Sequence, residues 1–187
     1  MTEGLPVGSL GKKKYLDVIY AGRRYSVYVS EVHVRETVLY VLYYVDNTQL
    51  KEIAEEYAFS RPAVMMVYID NIEELMQNIR DSERAQLSGR VETLLEDWVG
   101  DTGGILRKYG TDRFMVVVEQ RYLQKMIDSR FDILDRVRTI QTADRLSVTL
   151  SIGVGQGDTF RECESMARQA IEMALGRGGD QAAIKTQ

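Results

Sequence analysis

The groups able to do chemistry in this chain gather in two short stretches. In Lys108-Tyr109-Gly110-Thr111-Asp112-Arg113-Phe114 an acid and a base stand side by side, just ahead of the apolar run Met115-Val116-Val117-Val118, which reads as a buried strand. In Val67-Tyr68-Ile69-Asp70-Asn71 a second apolar run ends on a carboxylate. As turn residues these side chains need no ligand: Asp70-Asn71 can cap a following helix, and Asp112 with Gly110 can shape a hairpin. Arg113 is then a surface partner for Asp112 or Glu119. The remaining candidates are weaker. His33 is the single histidine and has no cysteine or acid at ligand spacing, which is poor evidence for a metal or a haem. Cys163 is the single cysteine, so no internal disulfide forms, and helical spacing sets it beside Ala167 and Ala170 as a small buried side chain. Gly176-Arg177-Gly178-Gly179-Asp180 could offer amides to a phosphate, but the Lys-Ser/Thr ending of a phosphate loop is missing, and a helix stop is the simpler role.

The elements that must hold these residues follow from the patterning. With 187 residues, 44% of them hydrophobic and only two prolines, the chain is long enough for one good core or one and a half small ones. Acids and bases are interleaved at a net charge of −4, which leaves no basic stripe for a nucleic-acid backbone. No apolar run approaches the roughly 18 residues a membrane helix needs, and no signal peptide is visible. Three strands open the chain, over 14–22, 23–34 and 36–47, with turns at Ala21-Gly22 and Arg35-Glu36; Tyr25, Val27 and Val29 alternate with Ser26, Tyr28 and Ser30. Thr48 is placed to cap a connector helix over 49–59, whose stripe of Leu50, Ile53, Ala54 and Tyr57 suits packing on a second copy of the chain. From Pro62 onward strands and helices alternate: a central strand to Asp70, helices over 71–79 and 81–99, a hairpin around Gly110-Thr111-Asp112, one helix over 121–141, a strand over 147–155, a helix over 162–175 and a last strand over 180–185. This order, βααββαβαβ, predicts an α+β fold, an α/β sandwich with helices covering a mainly antiparallel sheet. Val91, Leu94, Leu95 and Trp98 share one helix face, and Met65, Met66, Met76, Met115, Met166 and Met173 stand at positions that read as core filling.

Three stretches, in the right order, carry a resemblance. The hairpin Tyr109-Gly110-Thr111-Asp112-Arg113-Phe114 resembles the Tyr-Gly-Gly-Asp/Glu-Glu-Phe turn of GGDEF domains, Thr149-Leu150-Ser151-Ile152-Gly153 resembles their Thr-x-Ser-x-Gly strand, and Tyr68-Ile69-Asp70-Asn71-Ile72 their Asp-x-Asp-x-Phe strand end. The resemblance covers 62–187. Details such as "FDILDRVR" and "ALGRGGDQAAIK" are similar to the GdpP-type cyclic-di-AMP phosphodiesterases, in which two membrane helices, a PAS domain and a degenerate GGDEF domain precede a DHH/DHHA1 phosphodiesterase pair. Residues 1–47 then resemble the strand-rich second half of a PAS domain, 48–61 a connector helix and 62–187 the degenerate GGDEF domain. Haem, which some related PAS domains bind, is not expected without the domain's other half. The resemblance implies a regulatory module on the cytoplasmic face of a membrane, partnered by its own DHH/DHHA1 domains and dimerising through the PAS part and connector.

What a working GGDEF cyclase keeps shows what this chain has changed. Such a cyclase condenses two GTP molecules with divalent ions held by carboxylates of the first strand and the hairpin. Tyr68 stands at the first metal-binding aspartate, Thr111 at the second motif glycine and Arg113 at the fourth motif position, normally an acid. Met76 and Ala85 stand where the guanine-reading asparagine and aspartate are expected, and the product-inhibition motif would fall on Asp101-Thr102-Gly103-Gly104, which lacks it. Cyclase activity is therefore not expected. The resemblance leaves a residual nucleotide site of Asp70, Gly110, Asp112 and Arg113, in which Asp70, Asp112 and the carbonyl of Ile69 hold one magnesium ion with ATP and Arg113 pairs with a phosphate. Either a regulatory domain that binds a nucleotide weakly, or a weak magnesium-dependent nucleotide triphosphatase, is compatible with that set. The two carboxylates are expected at one edge of the sheet, beside a groove between the first helix and the hairpin, either around a cation or closed by an Asp112–Arg113 pair. Hydrolysis of cyclic-di-AMP by this chain is not expected, because one histidine cannot build a two-metal cluster of Asp and His ligands.

Overall fold

A computed structural model describes residues 15–76, 80–142 and 144–186, and divides the chain into two compact units, 1–58 and 59–187. In the first, β1 (Leu16–Tyr20), β2 (Arg23–Val34) and β3 (Thr37–Asp46) form an antiparallel sheet in the order β1-β2-β3. The turns fall where expected, with Ala21 and Arg35 in the left-handed region at φ 48 and 55°. Val27 is the one fully covered apolar side chain among the described residues of this unit, and every residue of β3 is exposed. Helix α1 (Thr48–Ser60) follows, and its start differs from expectation. The Asn47 carbonyl accepts the first helical bond from the Lys51 amide, while the Thr48 hydroxyl accepts from the Arg24 amide at 2.8 Å and so ties the helix to β2 instead of capping it. Leu50, Ile53 and Tyr57 are about two-thirds exposed, a bare apolar stripe.

The second unit is a five-stranded sheet in the order β5-β6-β4-β7-β8, built from β4 (Pro62–Ile69), β5 (Ile105–Lys108), β6 (Arg113–Glu119), β7 (Leu150–Gln156) and β8 (Ala182–Thr186). All pairings are antiparallel except β7–β8. The central strand β4 is buried from Ala63 to Val67, which is why its sequence is apolar without alternation. Helices α2 (Ile72–Met76), α3 (Asp81–Gly100), α4 (Gln120–Asp128) and α5 (Ile133–Arg138) accompany the larger core, in which Met65, Val67, Leu95, Phe114, Ile133 and Ile152 are sealed from solvent. On the other face α6 (Phe160–Gly176) lays Cys163, Ala167 and Ile171 against Val64 and Met66. A Cβ at Gly153 or Gly155 would come within 2.2 or 1.9 Å of the α6 backbone, so glycine is what lets helix and strand close to backbone contact.

Two expectations need correction. The single helix over 121–141 is two helices: Ser129 ends α4, and Arg130 and Phe131 turn left-handed at φ 55 and 53°, which swings Phe131 into the core beside Trp98. Met173 is 40% exposed on the outer side of α6, so it fills no core, whereas Met65 and Met66 do. The side chain of Met76 lies outside the described residues.

Candidate functional site

The carboxyl end of β4 is flanked by two loops. On one side the hairpin between β5 and β6 turns through Tyr109–Asp112, and its Asp112 carbonyl accepts from the Ile69 amide at 2.9 Å. On the other side the Asp70 amide donates to the Thr149 carbonyl at the start of β7, at 3.0 Å. The backbone therefore brings Ile69, Asp70 and Asp112 to the same end of the sheet, as the sequence led one to expect.

Their side chains take separate partners. The Asp70 carboxylate accepts from the Asp180 amide at 2.7 Å, in the loop between α6 and β8. Burial pushes the Asp70 carboxyl above the usual aspartate range, against the opposing pull of the Asp180 amide; its other oxygen, Oδ1, is buried near Ser151 with no hydrogen-bond partner among the described residues. Asp180 is in turn gripped by Arg138 at the end of α5, whose Nε lies 3.0 Å from both carboxylate oxygens. Gly179, at φ 74°, passes so close that a Cβ there would lie 2.9 Å from the Asp70 carboxylate. The glycine-rich segment thus stops α6 and then encloses Asp70. Asn71 does not cap α2 with its side chain either: its amide donates to the Ser147 carbonyl at 2.8 Å and accepts from the Thr149 amide at 3.2 Å.

The hairpin side is looser and holds an arginine. Arg113 pairs across the strands with Tyr68, and its guanidinium lies 5.0 Å from the centre of the Tyr68 ring. Its Nε is 3.7 Å from Asp112 Oδ1, an ion pair longer than a hydrogen bond. The Tyr109 hydroxyl donates to Tyr68 Oη at 2.8 Å; burial, and next the bond to Tyr68, push the Tyr109 phenol upward, so it keeps its proton. Beside the hairpin a groove of about 430 Å³ is lined by Ile72, Arg84, Ala85, Ser88, Lys108, Gly110 and Thr111. Lys108 spans it, donating to Ser88 and Glu92 of α3 at 3.0 Å each.

The donor set fits magnesium poorly. A tyrosine stands where a carboxylate would be needed, one Asp70 oxygen is committed to a backbone amide, and Asp112 has a guanidinium beside it. Among the described residues no group of three or more acids, histidines or cysteines is placed to hold an ion. His33 stays on the surface beside Glu31, and Cys163 is buried against the carbonyls of Pro62 and Gly157. Sequence reasoning missed Asp180, Arg138 and Ser151 around Asp70. The one available signal was the Gly-Gly-Asp run, because consecutive glycines mark backbone that must turn left-handed or pass close to something.

Comparison with known proteins speaks to the family and the fold. Residues 67–187 match the family model "Cyclic-di-AMP phosphodiesterase GdpP-like, GGDEF domain". Over 146 residues, 78% of the chain, it is 35% identical to the cyclic-di-AMP phosphodiesterase GdpP of Geobacillus thermodenitrificans and 34% identical to that of Bacillus subtilis, covering 22% of each. The chain spans about a fifth of the length of these relatives. Among solved structures, the active GGEEF domain of a diguanylate cyclase from Vibrio cholerae aligns at TM-score 0.58 and 17% identity, over 73% of this chain and 91% of that one. The GGDEF domain of DgcB from Caulobacter crescentus, solved with c-di-GMP, aligns at 0.59 and 13%, over 73% and 84%. At these identities the structures establish the fold alone. Among the described residues no helix is long and apolar enough to cross a membrane. The match to the family model over residues 67–187 and the identity to these relatives show that this chain belongs to the family of GGDEF domains of GdpP-like cyclic-di-AMP phosphodiesterases.

Proposed function

We propose that the second unit is a regulatory domain that binds a nucleotide in the groove beside the hairpin and reports its occupancy to phosphodiesterase domains of a longer protein. The first unit is then part of a PAS sensor domain, which dimerises through its exposed sheet and α1 and sits with its longer parent on the cytoplasmic face of a membrane. The observation that carries the reading is the groove itself. It has the volume for a nucleobase and a ribose, and it opens beside the Gly110–Thr111 backbone while the carboxylates of a working cyclase are replaced by Tyr68 and Arg113. Binding without the cyclase's metal ligands suits a sensor better than a catalyst. ATP titrated calorimetrically into the chain should bind in the micromolar-to-millimolar range, roughly 4 to 8 kcal/mol. Ala85→Trp, at an exposed position lining the groove, should abolish that heat while leaving thermal unfolding unchanged. Equal binding by Ala85→Trp refutes the groove as the site. GTP with magnesium or manganese should yield no cyclic-di-GMP, and cyclic-di-AMP should stay intact; detection of either product by chromatography overturns the assignment of Tyr68, Thr111 and Arg113.

A further inference from the structure

We propose that the phosphates of the bound nucleotide are held without a divalent cation, the guanidinium of Arg113 standing in the place of the metal. The inference rests on the nucleotide reading above and deepens it. Its first support is the poor magnesium donor set at the end of β4, where Tyr68 offers a phenol and Asp70 is turned into the Asp180 loop. A hard cation that demands several carboxylate or water oxygens in near-octahedral array gains little there.

The second support is where the positive charge has gone. Arg113 is half exposed and its stem runs along Gly110, one of the residues that line the groove; a Cβ at Gly110 would sit 3.4 Å from Arg113 Cβ, and the guanidinium lies over Tyr68 on the α6 side of the sheet, so a phosphate reaches it across the Gly110–Thr111 turn. Its guanidinium is held in place by stacking on Tyr68, which Tyr109 steadies through the phenol–phenol hydrogen bond. Among the described residues its protein partner for charge is Asp112, at 3.7 Å from Nε, and no hydrogen bond occupies the terminal nitrogens. A planar fork with free donors, fixed on an aromatic face, is suited to bidentate recognition of a phosphate. Arg168 of α6, bonded to Glu164 at 2.7 Å, adds a second guanidinium within electrostatic range of both phenols. The same arrangement reverses the role of Asp112. In a metal site it would be a ligand, whereas beside a metal-free phosphate it is a like charge competing for Arg113.

The two accounts therefore differ in sign for one substitution. ATP is titrated into the chain in excess EDTA, and separately in magnesium. Metal-free binding predicts equal or tighter affinity in EDTA, since ATP without its magnesium carries more charge for Arg113. Asp112→Asn should bind ATP severalfold more tightly in EDTA, and Arg113→Ala should lose about tenfold, the worth of one charge-assisted hydrogen bond. Inorganic triphosphate should compete for the site, and added salt should weaken it. Binding seen only with magnesium, or weakened by Asp112→Asn, overturns the proposal while leaving the nucleotide groove standing. Absence of binding under both conditions overturns the groove reading and this one with it. Circular dichroism of each variant, expected to match the parent, separates a lost contact from a lost fold.

Discussion

The two loops flanking β4 hold one aspartate each, and they treat it in opposite ways. Asp70 is half-buried, bonded to a backbone amide, roofed by a left-handed glycine and backed by the Asp180–Arg138 pair. Asp112 accepts no comparable bond and faces a stacked, half-exposed arginine across 3.7 Å. A carboxylate enclosed by the fold and held at one oxygen by a fixed backbone donor is part of the architecture, while one left with a loose partner remains available to a ligand or to its competitor. The two loops thus give one aspartate to the architecture and leave the other loosely held, a division that types and spacing alone do not reveal.

Substitutions should pull the two sides apart. The largest effect belongs to Gly179→Val, which forces a branched side chain into the left-handed region and against the Asp70 carboxylate; a loss of about 3 kcal/mol or more is expected in urea unfolding followed by the fluorescence of Trp98, the single tryptophan of the chain. Asp70→Ala leaves the Asp180 amide without its acceptor and should cost roughly 1–3 kcal/mol by the same measurement. Asp112→Ala should change stability by less than about 0.5 kcal/mol. If the last two variants lose equal stability, the contrast drawn between the loops is wrong.

The smallest expected effect is a pH dependence. Because the folded state holds the Asp70 proton to higher pH than the unfolded chain does, this group's contribution to stability is most favourable below the ordinary aspartate range. It is lost as pH rises through the raised value and is level above it. Asp70→Asn should therefore flatten the fall of the urea midpoint that begins as pH rises above the ordinary aspartate range. An unchanged profile would mean that other carboxylates set it.

Much of the fold was legible because local pattern and tertiary role coincide. The unbroken apolar run of β4, the turn at Gly110–Asp112 and the alanine face of α6 each follow from burial or backbone geometry within a few residues. Two things were not legible. The break between α4 and α5 falls on Arg130 and Phe131, ordinary helix-compatible residues that are driven left-handed by the core's claim on the Phe131 ring. The destination of the Asp70 carboxylate depends on a loop that arrives from the far end of the chain, so neighbouring sequence carries no trace of it. Arg113 and Tyr68 were legible as substitutions, but their stacking came from the β4–β6 register.

The position of β4 in the sheet also sets a timetable. It is the first strand of its unit to leave a ribosome, yet both strands that cover its edges, β6 and β7, are made well after it. At about 5–20 residues per second, Val64-Met65-Met66-Val67 waits on the order of several seconds with neither neighbour in place. The segment that is best protected in the finished molecule is thus the one most exposed during its synthesis, and interception of the nascent chain by other hydrophobic surfaces should begin there.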